Sequence, residues 1–142
     1  MSKGNTFEND LLKLIFNATA IANLAINATS APLTVLWVSL HTADPGEAGS
    51  QTTSEATYGG YARTSVGRTT TGWVVTNNSV SPAAIITFPA ATSGSNTITH
   101  AAVGTASSGA GKILYSGTVS PNLSVSAGST PRLTTASAIT ED

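Results

Sequence analysis

The hydrophobic period of this chain changes once, near residue 31, and that change limits the fold more than any other feature. Ahead of it, Leu11, Leu14, Ile15, Ala18, Ile21, Ala22 and Ala25 recur at helical spacing. Asn5 stands three residues before Glu8, an approximate capping box, and Glu8 and Asp10 sit where a helix N-terminus favours negative charge. The pattern predicts a helix over residues 7–28 that stops before Pro32. From Leu33 onward the period is two. "LTVLWVSL" sets Leu33, Val35 and Trp37 on one face and Leu36, Val38 and Leu40 on the other, so this strand should be covered on both sides.

Further short runs follow: "YARTSV" at 61, "WVVTNNSV" at 73, "AAIITF" at 83, "TITHAAVG" at 97, "KILYSGTV" at 112, "LSVS" at 123 and "PRLTTASAIT" at 131. Turn chemistry separates them at Thr71-Gly72, Ser81-Pro82, Gly94-Ser95, Gly109-Ala110-Gly111, Ser120-Pro121-Asn122 and Ala127-Gly128. The expected fold is mainly β, a jelly-roll-like antiparallel β-sandwich of about eight strands with one N-terminal helix. An immunoglobulin-like sandwich is the second choice. Residues 1–142 are expected to form a single domain, with 1–30 helical and 31–142 the sandwich.

Composition narrows the function. Only 9% of the 142 residues are charged and the net charge is -1, against about 25% charged in an ordinary soluble domain. No Lys/Arg cluster is present to neutralise phosphates, so nucleic acid is not an expected partner. A surface of Thr, Ser and Ala with little charge suits packing against neighbouring proteins, because interface cores are depleted in charge. The chain has no cysteine, which removes thiolate chemistry and sulfur-based zinc sites and gives no sign of an oxidising compartment. The apolar N-terminal stretch reads neither as a signal peptide nor as a membrane span, since Glu8 and Asp10 precede it and Asn17, Asn23 and Asn27 interrupt it.

Catalytic and metal readings fail on the residues themselves. His41, Asp44 and Glu47 are spaced three apart, but Pro45-Gly46 forces a turn, most simply type II, that splays them. His100 sits on a strand beside Ile98 and Ala102, where a lone histidine is usually structural. "SSGAGKILYS" lacks the first glycine of a phosphate loop, with Ala106 in its place, and has Ile113 where Ser or Thr would hold magnesium. No enzyme activity, cofactor or metal is expected.

Two features point to protein contact. The helix offers Phe7, Leu11, Leu12, Ile15, Phe16 and Ile21 on more than one side, so one sheet face is unlikely to cover it, and a homodimer, or alternatively a trimer, is expected. The connection over residues 42–60 is longer than a compact domain needs. It carries Asp44, Glu47 and Glu55, returns through Tyr58 and Tyr61, and is braced by Arg63. Tyr and Arg are enriched where proteins bind proteins, and these six residues form the expected contact. Glu55 and Arg63 are expected to pair across the bend as an exposed, weak ion pair.

"SLHTADPGEAGSQTTSEATYGGYARTSV", "GWVVTNNSVSPAAIITFPAAT", "THAAVGTASSGAGKILYSGTV" and the ending "AITED" resemble a family of small tailed-phage virion proteins. Its members are labelled head decoration (cement) proteins, as in Bordetella podophages, or tail-fibre proteins. The resemblance implies a jelly-roll protein made in the host cytoplasm. It would sit as a small oligomer on the outer surface of the head, bridging and stabilising a shell of major capsid protein with the HK97-like fold. A tail-fibre or receptor-binding module is the alternative. Trp37 and Trp73 lie within apolar strand patterns and read as core rather than as a sugar platform.

Overall fold

The computed structural model describes residues 5–21 and 32–141. Among them are one helix, α1 (Asn5–Asn17), and nine strands: β1 (Val35–His41), β2 (Thr64–Gly67), β3 (Trp73–Thr76), β4 (Ser79–Pro82), β5 (Ile86–Thr87), β6 (Ser95–Gly104), β7 (Ile113–Ser126), β8 (Arg132–Leu133) and β9 (Ile139–Thr140). The strands form antiparallel sheets ordered β2-β1-β6-β7, β3-β4-β9 and β5-β8. The class is the expected one, mainly β with an N-terminal helix. No helix among the described residues is long and apolar enough to cross a membrane.

The chain divides into two compact units interleaved in sequence. The first comprises Met1–Val35, Val66–Ile85 and Leu133–Asp142. Here α1 packs on the β3-β4 hairpin, burying Leu12 and Phe16 completely, with the Phe16 ring edge-on to Trp73 at 4.8 Å. Strands β3 and β4 pair from Trp73↔Pro82 to Thr76↔Ser79, so the expected run at 73–80 is two strands. They turn at Asn77-Asn78, where Asn77 takes a left-handed φ of 55°, a conformation asparagine tolerates better than most residues.

The helix ends at Asn17, well short of residue 28; residues 18–20 are irregular, and the rest of the expected helix beyond residue 21 lies outside the described residues. Arg68 supplies the physical reason. Its Nε donates to the Ile15 carbonyl at 2.6 Å and its Nη2 to the Leu14 carbonyl at 2.7 Å, while Nη1 reaches the Leu33 carbonyl at 2.7 Å. A cation thus satisfies carbonyls left open in the last turn and opposes the negative end of the helix dipole. Ala18 follows in the left-handed region at φ 54°, and the Thr19 amide turns back to the Lys13 carbonyl. Asn17 Nδ2 also donates to the Trp73 carbonyl at 3.2 Å.

Among the six residues expected to mediate self-association, Leu12 and Phe16 are core of this unit, and Leu11, Ile15 and Ile21 are half-buried. Phe7 alone of the six is exposed, at 40%.

The second unit comprises Leu36–Ser65 and Ile86–Arg132. At its centre β1 and β6 pair from Trp37↔Gly104 to His41↔His100. Leu36, Val38 and Leu40 are buried on one face of β1 and Ser39 and His41 on the other, so the strand is covered on both sides as its sequence predicts. The two runs read separately at 112 and 123 form one strand, β7, with a register break opposite Thr99 that absorbs Val119 to Asn122. The run at 131, in contrast, yields two short strands, β8 and β9.

Candidate functional site

The 42–60 connection follows directly from β1 and lies wholly within the second unit. Its first part is a turn built by its own side chains. Asp44 Oδ1 accepts the Gly46 amide at 2.9 Å, and Gly46 takes φ 68°, the geometry a Pro-Gly turn requires. The Gly49 amide returns to the Gly46 carbonyl, and a Cβ on Gly49 would meet the Pro45 carbonyl oxygen at 2.0 Å, so only glycine fits. Asp44 and Glu47 stand exposed on this tip.

Beyond the tip the connection is bound to the sheet. The Thr42 amide donates to the Ser54 carbonyl and the Ala56 amide to the Leu40 carbonyl, so residues 54–56 return along β1 with Glu55 bridging His41. Gln51 is fully buried. Its Nε2 donates to the Trp37 carbonyl at 3.1 Å, and its Oε1 accepts the Ala106 amide at 3.0 Å. Two glycines make room for it: a Cβ on Gly104 would lie 2.2 Å from Gln51 Cδ, and one on Gly111 2.2 Å from Oε1. The Gln51 amide donates to the Gly111 carbonyl at 2.9 Å. The glycines of the β6-β7 turn thus form a slot for one amide side chain.

His41 is fully buried. Its Nδ1 lies 2.8 Å from the Thr53 carbonyl, which can only accept, so Nδ1 carries the proton and Nε2 accepts from Ser39 Oγ at 2.9 Å. Burial holds the imidazole pKa below its usual value, with the positive charge of Arg63 acting in the same direction and Thr53 and Glu55 opposing. His41 is therefore a neutral brace between β1 and the connection. Asp44 and Glu47 do not converge on it, and no cluster of metal-ligating side chains occurs among the described residues.

Glu55 and Arg63 do pair, but not as an exposed ion pair. Their side chains are 17% and 2% exposed. Arg63 Nε and Nη2 grip the two carboxylate oxygens at 2.6 and 2.8 Å. The remaining guanidinium donors reach the carbonyls of Ala106 at 2.9 Å and Gly109 at 2.8 Å. Tyr61 donates its hydroxyl to Glu55 Oε1 at 2.9 Å and accepts the Leu40 amide at 3.1 Å. Hydrogen bonding to Glu55 raises the arginine pKa, and burial raises that of Tyr61. This closed network ties β1, the connection and the β6-β7 turn together.

Tyr58, expected in the contact with another protein, is instead core, 3% exposed, with its hydroxyl donating to the Pro89 carbonyl at 3.1 Å and its ring edge-on to Tyr61 at 5.3 Å. The Thr57 and Tyr58 amides both donate to Asn96 Oδ1. Of the six residues read as one contact, the structure therefore brings Glu55, Tyr58, Tyr61 and Arg63 together as an internal brace and leaves Asp44 and Glu47 on the surface. Gln51, Asn96 and Ser39 carry much of the bracing and gave no sequence signal, because a single amide or hydroxyl among Ser and Thr has no period. The Gly104 and Gly109-Ala110-Gly111 glycines are the sequence trace of this slot, because a Cβ at Gly104 or Gly111 would collide with the Gln51 side chain.

The result is a connection tied to the sheet, in which His41, Glu55, Tyr61 and Arg63 are bonded to one another or to backbone and the tip with Asp44 and Glu47 is left at the surface. No curated protein matches the chain. Residues 2–140 match the model of the family described as podophage GP4 fiber I protein gp80, and the chain therefore belongs to that family of bacteriophage structural proteins.

Proposed function

We propose that the protein is a structural subunit of a virion fibre and acts through protein contacts rather than catalysis. The observation that carries this reading is the closed pairing behind the 42–60 tip. Behind the tip, His41, Tyr61 and Arg63 spend hydrogen bonds on holding backbone in place, and Glu55 spends its own on Arg63 and Tyr61. A general base or nucleophile needs a free polar atom aimed at a substrate. The family description names a fiber protein, and the match spans nearly the whole chain, which favours a fibre over other places in the virion. The tip with Asp44 and Glu47 then offers itself to a neighbouring virion protein, held in shape by the brace so that little ordering entropy is lost on contact.

Head decoration is the second reading, favoured by the resemblance of the Leu-His-Thr-Ala-Asp-Pro-Gly and Tyr-Gly-Gly-Tyr-Ala-Arg segments to head decoration proteins; here those segments are the two ends of one braced connection. In that role the tip would meet major capsid protein of HK97-like fold at the seams between subunits, and many weak contacts would act together. The copy number per virion, measured against the major capsid protein on a stained gel of purified particles, separates the two. A fibre subunit is expected at a few tens of copies, and hundreds of copies would overturn the fibre in favour of decoration.

A further inference from the structure

The polar side chains along α1 are not used up in the way those around Arg63 are. Thr6, Asn9 and Lys13 follow one another at spacings of three and four, so they form one stripe of the helix. With Asn77 and Asn78 of the β3-β4 turn they line a pocket of about 740 Å³ inside the first unit. Asn9 Nδ2 donates to the Asn77 carbonyl at 2.6 Å and Asn78 Nδ2 to the Glu141 carbonyl at 3.1 Å, which fixes both amides and leaves their oxygens able to accept. The Thr6 hydroxyl, the Asn77 side-chain amide and the Lys13 ammonium have no bonded partner among the described residues.

A half-buried ammonium set among amides and a hydroxyl calls for a carboxylate. Asp10, one turn earlier on α1, does not supply it: no ion pair joins it to Lys13 among the described residues. No aromatic ring lines the pocket, so a sugar ring would find no platform there. Arg63 and Arg68 are spent on Glu55 and on carbonyls, and Lys112 and Arg132 are exposed outside the pocket.

The 42–60 tip carries the matching charge. Among the described residues Asp44 and Glu47 are the only exposed acids, the others being half-buried or buried. Asp44 Oδ1 accepts the Gly46 amide, whereas the Glu47 carboxylate has no partner among the described residues. Gly46 and Ala48 flank Glu47, and their small size lets the turn come close to another surface. The turn is already shaped by its own hydrogen bonds, so docking it loses little ordering entropy.

We propose that the neighbour of the 42–60 tip is a second copy of this chain, with Glu47 entering the pocket of the next copy and pairing with its Lys13. The pairing rests on the reading of the tip as a contact and gives that contact its partner. Tip and pocket are different surfaces, so every copy offers one of each and copies join head to tail, in a ring or an open row. A single pair of this kind is weak, but subunits held side by side in a virion reach the effective concentration at which a series of them holds.

The chain has no cysteine, so introduced thiols report the contact while Lys13 and Glu47 stay in place. Thr6→Cys sets a thiol on the pocket and Ala48→Cys one beside Glu47. Mixed and treated with a flexible bismaleimide, the two variants are expected to give a covalent dimer on a denaturing gel. Either variant alone should stay monomeric, because like surfaces do not meet. Adding Glu47→Lys to Ala48→Cys should abolish the cross-link, and adding Lys13→Glu to Thr6→Cys should then restore it, with far-UV spectra unchanged. A mixture that cross-links no more than the single variants, or a cross-link that survives Glu47→Lys, overturns the proposal. Should Lys13→Glu fail to fold, the loss with Glu47→Lys decides alone. An absent cross-link together with a fibre-like copy number removes the second copy as partner and leaves the fibre reading standing; a head-like copy number with the cross-link present does the reverse.

Discussion

Arg63 shows how much one residue can hold in a chain with few charges. Its guanidinium makes four bonds, two to Glu55 and two to carbonyls of the β6-β7 turn, and its side chain is 2% exposed. Removing one partner of a buried pair strands the other charge. Arg63→Ala is therefore expected to destabilise the protein by about 3 kcal/mol, toward the low end for buried pairs because Glu55 keeps some contact with water. Urea unfolding monitored by tryptophan fluorescence would measure it, and a loss under about 1 kcal/mol would mean the pair behaves as an exposed one. His41 gives a pH dependence of fixed sign. Its folded pKa lies below the unfolded value near 6.5 because burial disfavours the imidazolium. The unfolded chain consequently binds the extra proton first, so stability is full above about pH 6.5 and falls as the pH drops below it. On protonation Nε2 turns from acceptor to donor, and the Ser39 hydroxyl must give its own proton to the Ala102 carbonyl, 3.4 Å away, instead. The urea midpoint should decline between pH 7.5 and 5.5, and His41→Gln should flatten that decline.

At the scale of elements, local pattern and remote partners divide the explanation. The alternation in β1 and the apolar run of β6 were legible because each is written in neighbouring residues, whereas the Asn77-Asn78 turn lay hidden inside what reads as one run at 73–80. The end of α1 was not, since the residue that caps it, Arg68, lies more than fifty positions downstream. The fusion of two runs into β7 escaped for a related reason: Ser120-Pro121-Asn122 has turn chemistry, yet pairing with β6 on both sides carries the strand through it. The length of the 42–60 connection announced a special loop, but whether Tyr58 faces solvent depends on Pro89 and Asn96, which no local pattern reveals. Arg68→Ala tests the remote cap. It should cost about 1–2 kcal/mol, the range for charges at partly buried helix ends. Hydrogen exchange should show the loss confined to amides of the last turn of α1, and uniform acceleration across the β3-β4 hairpin would instead assign Arg68 a general packing role.

For the whole molecule, the two compact units use the chain's scarce charge differently. The first spends Arg68 on its helix; the second spends Glu55 and Arg63 on bracing its 42–60 connection and keeps Asp44 and Glu47 outside. What remains is a hydroxyl-rich, nearly neutral exterior suited to lying against other proteins. The family relationship places such a chain among bacteriophage structural proteins, and the proposed fibre gives the exterior its neighbours. The most direct test is where the protein sits. Gold-labelled antibody against the chain, applied to intact virions and viewed by negative-stain electron microscopy, is predicted to mark fibres and leave the head bare; label spread evenly over the head would contradict the fibre and place the protein on the shell.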